Sequence, residues 1–253
     1  MRRQTQADMV EATLRQLGGY ATLKAIYEHT DASRWGTQTP RATIRRILQK
    51  DPHGRFFKIR PGLWGLTQQR RHILRKLKLT RSAGSQAQQQ FDHTYYQAIL
   101  LEIGNSLNYH TTVAHQDKNR VFVNRKLGEI ASLRDIPHFT YEPLVREARN
   151  IDVIWFKEHS SNCLFPACFF EIEHTTDFNR SLLKFDEFGC FAAKFYIVAN
   201  ASREKRLRRT LSRRAFRHLH GIVEFLAYAE LEDDYENLQN SQRLRLARLM
   251  GQP

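Results

Sequence analysis

FFEIEHTT, residues 169–176, places two carboxylates two positions apart inside an otherwise apolar, aromatic run. In a strand, alternate side chains share a face, so Glu171 and Glu173 project together while Phe170 and Ile172 face the other way. Like charges on one half-buried face repel. The pattern therefore asks for a cation held between them or for a solvated sheet face. Upstream, RNIDVIWF, residues 149–156, sets Asp152 at the start of a second buried strand. If the two strands are neighbours, Asp152, Glu171 and Glu173 converge. Hard oxygen ligands from two or three carboxylates suit Mg²⁺, an ion that neutralises and polarises a phosphodiester and lowers the pKa of water. With such an ion bound, the repulsion becomes attraction to the metal.

The surroundings read as an α/β core. After ACFFEIE comes an amphipathic helix, FNRSLLKFDEF, then a third strand, KFYIVAN. SREKRLRRTLSRRAFRHL predicts a basic helix packing through Leu207, Leu211, Ala215 and Leu219, GIVEFLAYAEL a closing strand, and the last dozen residues a helical or frayed tail. Before the core, TYYQAILLEIGNSLNY places Tyr96, Ile99, Leu100, Ile103 and Leu107 on one face of a helix starting near His93, with Gly104 near its end. A strand is expected around Val121 to Val123, and a loop at RDIPHFTYEP.

The amino-terminal third differs. QADMVEATLRQL carries Met9, Val10, Thr13, Leu14 and Leu17 at helical spacing and stops at Gly18 and Gly19. A short helix follows from Thr22 to His29. In TPRATIRRILQKD, Thr39 is a cap, Pro40 the first helical residue, and Ile44, Ile47 and Leu48 one face; Arg41, Arg45 and Arg46 form the other. RFFKIRPGLWGL predicts a hairpin turning at Pro61 and Gly62. QQRRHILRKLKLTRSAGSQAQQQ begins as a basic helix and ends as a Ser, Gly and Gln-rich linker.

Two resemblances follow. VEATLRQLGGYATLKAIYEHT with PRATIRRILQK and FFKIRPGLWGL is similar to the HARE-type winged helix-turn-helix. It implies DNA binding, in some members sensitive to base modification. The contacts would come from Arg41, Arg45 and Arg46 on the third helix and Lys58 and Arg60 in the wing. The phrases RNIDVIWF and FFEIEHTT resemble the PD-(D/E)XK nuclease superfamily over roughly residues 92–230. That resemblance implies catalysis by Asp152, Glu171 and Glu173, and metal ligation by Asp152 and Glu171. A helix glutamate, Glu102, would be a further ligand. Glu173 stands where the family has lysine, a departure shared by some restriction endonucleases. It leaves Glu173 as general base or second ligand, and Lys184 or Lys194 to supply the positive charge. His174 reads as a structural hydrogen-bonding residue or a phosphate contact, and Thr175 and Thr176 as turn residues.

The expected class is α/β (α+β): residues 1–68 a winged helix, 69–91 a basic helix and linker, and 92–253 a restriction endonuclease-like mixed sheet flanked by helices. Charge is divided accordingly. Residues 1–90 carry 18 Lys and Arg against 5 Asp and Glu, while the other 163 carry 22 against 21. Such a basic third points to a polyanion. The three cysteines, Cys163, Cys168 and Cys190, lack CxxC spacing, which argues against a disulfide framework and a zinc site. No run approaches the ~18 apolar residues of a membrane span and no signal peptide opens the chain, so an intracellular protein is expected. No Gly-rich phosphate loop appears, so no nucleotide cofactor is expected.

Together these readings predict a Mg²⁺-dependent endonuclease of the type II restriction class, using one ion or two on double-stranded DNA. A homodimer is expected because each strand needs its own cut. The competing readings are a non-catalytic DNA-binding regulator with the same fold and a repair or RNA nuclease.

Overall fold

In a computed structural model of the chain, residues 5–33, 35–80, 84–159, 162–174, 177–239 and 244–249 are described. The chain divides into two compact units, residues 1–91 with 232–253, and residues 92–231. Thr175 and Thr176 lie outside the described residues.

The first unit opens with α1 (Gln6–Gln16), β1 (Tyr20–Thr22), α2 (Leu23–His29), α3 (Pro40–Lys50), β2 (Phe56–Arg60), β3 (Leu63–Leu66) and α4 (Arg70–Lys76). Local chemistry sets the helix starts. Thr5 Oγ1 accepts the Asp8 N–H at 3.2 Å and Asp8 Oδ2 accepts the Thr5 N–H at 2.8 Å, a reciprocal cap on α1. Thr22 Oγ1 accepts the Ala25 N–H at the head of α2. Pro40 opens α3 as expected, but the Thr39 side chain makes no capping bond. Val10, Leu14, Ile26, Ile44, Leu48, Trp64 and Leu66 form one buried cluster. Periodicity alone does not disclose β1, a three-residue strand that pairs antiparallel with β3 and gives a sheet ordered β1-β3-β2.

The expected second domain runs through residue 253, whereas the described residues from 232 on cluster with the first unit. Gly62 shows the reason. Its φ is +70°, and a Cβ there would lie 2.4 Å from Tyr235 Cε1, so only glycine serves both the hairpin turn and the approach of the Tyr235 ring. The expected linker also differs: its Gln-rich end is already helical, within α5 (Gly84–Ser106), because Gln and Ala favour helix and no proline interrupts them.

In the second unit, α5 leads to β4 (His110–Val113), a small hairpin of β5 (Val121–Phe122) and β6 (Arg125–Lys126), α6 (Leu127–Ile130) and α7 (Glu142–Ala148). Then come β7 (Val153–Glu158), β8 (Leu164–Glu173), α8 (Asn179–Asp186), β9 (Lys194–Ala199), α9 (Glu204–Leu211) and β10 (Val223–Ala227); α10 (Tyr228–Gln239) begins in this unit and continues into the first, which also holds α11 (Arg245–Leu249). The mixed sheet runs β10-β9-β8-β7-β4, with β8, β9 and β10 parallel and β7 and β4 antiparallel to their neighbours. The β7–β8 register skips Ala167 between Cys168 and Pro166. Pro166 therefore sits at a bulge, and β9 pairs only from Cys168 onward, so no ladder bond is lost to the proline.

Helices cover both faces. Ile154, Phe156, Phe169, Phe195 and Ile197 share a core with Leu182 and Phe185 of α8 and Leu207 and Leu211 of α9. On the other face, Trp155 donates through Nε1 to the Leu100 carbonyl of α5 at 3.1 Å. A Cβ on Gly104 would come 2.5 Å from that same nitrogen, so the glycine lets α5 lie on the sheet. The long basic helix expected over 202–219 is broken: α9 stops at Leu211, the Ser212 hydroxyl donates to the Arg209 carbonyl, and residues 214–219 coil more tightly with three residues per turn. That change exposes Ala215 and buries Phe216 with Leu219. Among the described residues no helix is long and apolar enough to cross a membrane.

Candidate functional site

Glu173, Ala199 and Ala227 are in register, so the three parallel strands end on one line, the carboxyl edge where sites form in such sheets. Pairing of Val153 with Phe170 places Asp152 beside Glu171. The two are locked together: the Asp152 N–H donates to Glu171 Oε1 at 3.2 Å, and Asp152 Oδ2 accepts the Ile172 N–H at 2.7 Å. Asp152 is 6% exposed and Glu171 4%. Carboxylates so buried need partners.

The helix α8 supplies two of them, Ser181 and Lys184, three residues apart and so on one helix face. Lys184 Nζ lies 2.8 Å from both oxygens of Glu171 and donates to the Asn150 carbonyl at 2.8 Å. Ser181 Oγ lies 3.2 Å from Glu171 Oε2 and also contacts Glu173 Oε1. One hydroxyl proton serves one carboxylate, so the second contact is satisfied when that carboxyl carries a proton. Burial, then the charge of Asp152, raises the Glu171 pKa, and Lys184 offsets part of that rise. Burial also raises Glu173, against the Ser181 hydrogen bond.

The opposite flank of Asp152 belongs to α5. His93 Nε2 is 3.3 Å from Asp152 Oδ1 and 3.7 Å from Asp117 Oδ2. Burial disfavours its charge, but the two carboxylates outweigh burial and hold its pKa up at about 10. Asp117, 1% exposed, accepts from Gln97 Nε2 at 2.8 Å and pairs with Arg120 Nε at 2.7 Å.

Beyond Glu173 the rim is structural. Arg203 Nη1 and Tyr228 OH both donate to the Glu173 carbonyl at 2.9 Å, and the Tyr228 oxygen lies 2.9 Å from His174 Nδ1. Burial, aided by His93, pushes His174 down to about 4, so it is neutral. A neutral imidazole held by a tyrosine agrees with the hydrogen-bonding reading of His174.

Asp152, Glu171 and Glu173 thus converge, the first two directly and the third through Ser181. Asp152 and Glu171 are buried and offer hard oxygens, whereas Glu173 is half-buried, and the three carboxylates do not bring one oxygen each within 4.8 Å of one another. Glu102 does not join them. It follows His93 by nine helical residues, which puts it half a turn round α5 and about 13 Å along it. Lys194 is also distant: it pairs with Cys168, three residues before Glu171 and so about 10 Å along the strand. Three residues at the site went unread in the sequence. Ser181 was findable from its spacing to Lys184, and His93 from its helical spacing to Gln97, whereas Asp117 ends a single tight helical turn, His115–Asp117, too short to show a period.

In the first unit, Arg41 and Arg46 are exposed on α3 and Arg45 is half-buried, with the Arg41 guanidinium 5.7 Å from the Tyr27 ring. A cleft of about 600 Å³ opens there, lined by Tyr27, Gln38, Arg41 and Arg45 among others. Lys58 is exposed but ion-paired with Glu236, and Arg60 is half-buried.

A family model described as Type II restriction enzyme NmeDI C-terminal domain matches residues 76–248, more than half of the chain. No curated protein and no solved structure matches the chain.

Proposed function

The chain belongs to the type II restriction enzyme NmeDI C-terminal domain family, and from that premise we propose that it is a metal-dependent endonuclease of the PD-(D/E)XK kind cutting double-stranded DNA. The observation that carries this reading is the meeting of Asp152, Glu171 and Lys184 at the carboxyl edge of the sheet. Asp152 and Glu171 would hold Mg²⁺, which when bound supplies charge neutralisation at the scissile phosphate and a more acidic water.

The chain's own groups do the rest. Lys184, fixed by the Asn150 carbonyl, stands in for the lysine that Glu173 displaces from the strand, and presents its ammonium to the phosphate or the attacking water. Glu173, steadied by Ser181 and raised in pKa by burial, accepts the proton of that water at Oε2. Rigid strands and Ser181 keep the carboxylates in place, so little reorganisation accompanies the reaction.

The first unit, in this reading, is a winged helix-turn-helix that grips duplex DNA. Its third helix, α3, offers Arg41, Arg45 and Arg46, with Lys58 and Arg60 in the β2–β3 wing. Lys58 reaches a phosphate only by leaving Glu236. Two cuts in a duplex favour a homodimer, and the likeness to HARE-type modules makes base modification a determinant of substrate choice.

The test is incubation of purified protein with modified and unmodified plasmids, in Mg²⁺ and in EDTA, beside Asp152→Ala. Discrete fragments in Mg²⁺, lost with EDTA and with the variant, support the proposal. DNA binding without scission on any plasmid sinks it and leaves a DNA-binding regulator.

A further inference from the structure

We propose that His93, Asp117 and Asp152 form a second cation site, chemically distinct from the Asp152–Glu171 pair, that takes a divalent transition ion through one nitrogen and two oxygens. It touches the proposed nuclease site only through Asp152, which the two would share.

The geometry comes first. The ligand atoms of these three residues all lie within 4.8 Å of one another, with His93 Nε2 3.3 Å from Asp152 Oδ1 and 3.7 Å from Asp117 Oδ2. An ion with bonds of about 2.1 Å spaces its ligands about 3.0 Å apart at octahedral angles and about 3.4 Å at tetrahedral ones. The two distances from His93 come close to those spacings, and the two aspartate oxygens lie within 4.8 Å of each other. Asp152 is also divided correctly: Oδ2 is spent on the Ile172 N–H, while Oδ1 faces His93.

A second observation is independent of the triad. Gln97 is 0% exposed and its Oε1 has no hydrogen-bond partner, although its Nε2 donates to Asp117. Gln97 follows His93 by one turn of α5, so both project toward Asp117. A buried amide oxygen without a partner is costly. Nε2 is the amide atom that faces Asp117 here, and with a cation at the triad a half-turn of the amide would exchange it for the unpartnered oxygen and turn that oxygen toward the ion.

Donor type sets the preference. Imidazole favours transition ions, whereas Mg²⁺ prefers oxygen and keeps several waters. A triad built on two carboxylates 1% and 6% exposed leaves little room for such waters. The site should therefore prefer Co²⁺, Mn²⁺ or Zn²⁺ to Mg²⁺.

The experiment titrates the full chain, without DNA, with CoCl₂. Visible absorption reads binding, and proton NMR reads the hyperfine-shifted imidazole N–H that a ligating His93 must show. The expected result is one tight equivalent that excess Mg²⁺ does not displace, that survives Glu171→Gln, and that weakens at least ~10-fold in both His93→Ala and Asp117→Asn. The proposal is overturned if His93→Ala binds Co²⁺ as tightly as wild type, if Glu171→Gln loses it as fully as His93→Ala, or if Mg²⁺ displaces it. Should a variant not fold, the wild-type imidazole resonance and the Mg²⁺ competition decide alone. A protein that binds Co²⁺ in this way but cuts no plasmid keeps this site and loses the nuclease reading. One that cuts in Mg²⁺ and shows no shifted imidazole does the reverse.

Discussion

Arg41 and Arg46 stand exposed on α3, whereas Asp152 and Glu171 are almost wholly enclosed and pair with His93 and Lys184. The first unit carries its charge on the outside, where solvent screens it and each group acts nearly alone. The second draws charge into a low-dielectric interior, where each group depends on its neighbours. The contrast suits a division in which one unit holds a polyanion and the other does chemistry on it. It also implies that substitutions in the two units should fail differently.

The largest effect is expected from Trp155→Ala. Trp155 is fully buried against Phe170, Tyr109 and the Leu100 carbonyl, and its loss should destabilise the second unit by about 3–5 kcal/mol. Denaturant unfolding followed by the fluorescence of the two remaining tryptophans, Trp35 and Trp64, checks the comparison directly, since both lie in the first unit. An unshifted signal keeps the units separate. A signal that shifts with the loss makes them one cooperative block.

Next is Lys184→Ala. It strips Glu171 of the one cation that contacts it among the described residues and should lower plasmid cleavage about 10²–10³-fold. Duplex affinity, read by fluorescence anisotropy in EDTA, should stay within a factor of two or so of wild type, because binding is assigned to the other unit. A comparable fall in affinity would erase the division.

How far the sequence disclosed this arrangement follows from the same physics. Period-two and period-3.6 patterns mark elements with one apolar face, so α1, α2, α3, the β2–β3 hairpin, β7, β8, α8 and β9 were all legible. Short or edge elements such as β1 and β4 have too few residues to show a period. Asp152, Glu171 and Glu173 were readable because carboxylates in apolar strands stand out. The choice between Lys184 and Lys194 was not, since only the β8–β9 register carries Lys194 away from the cluster. Glu102 misled for a related reason: a helix position in sequence carries no phase until another residue on the same helix, here His93, is fixed against the sheet. Asp117, held in a turn by Gln97 and Arg120, gave no signal at all.

The triple change Arg41→Ala, Arg45→Ala, Arg46→Ala tests the outward charge. If these residues meet phosphates, affinity should fall and the slope of log K against log salt should flatten by about 3, near one unit per lost contact. The melting temperature should barely move, because none of the three is a core residue. An unchanged slope would place the DNA-facing surface elsewhere on the protein.

The smallest effect concerns pH: Asp8 and Asp51 of the first unit and Tyr196 and Tyr228 of the second set opposite signs, and Asp117 and Asp135 of the second and Tyr27 of the first work against that contrast and keep it small. In the first, Arg55 holds Asp51 below the ordinary carboxylate value of 3.8, and Thr5, followed by Arg55, holds Asp8 below it. A depressed carboxylate stabilises the fold fully above 3.8, and that contribution disappears as pH falls through the lower folded-state value. In the second, burial raises Tyr196 and Tyr228 above the ordinary 10.0. The folded state then keeps protons that the unfolded chain has released, so stability declines as pH climbs past 10.0. The three tryptophans can separate these limbs: Trp155→Phe leaves reporters only in the first unit, and Trp35→Phe with Trp64→Phe leaves one only in the second. The first pair of reporters should lose structure first on acidification, and Trp155 first in alkali. If the same reporter leads at both extremes, the contrast between outward and inward charge does not govern how this protein unfolds.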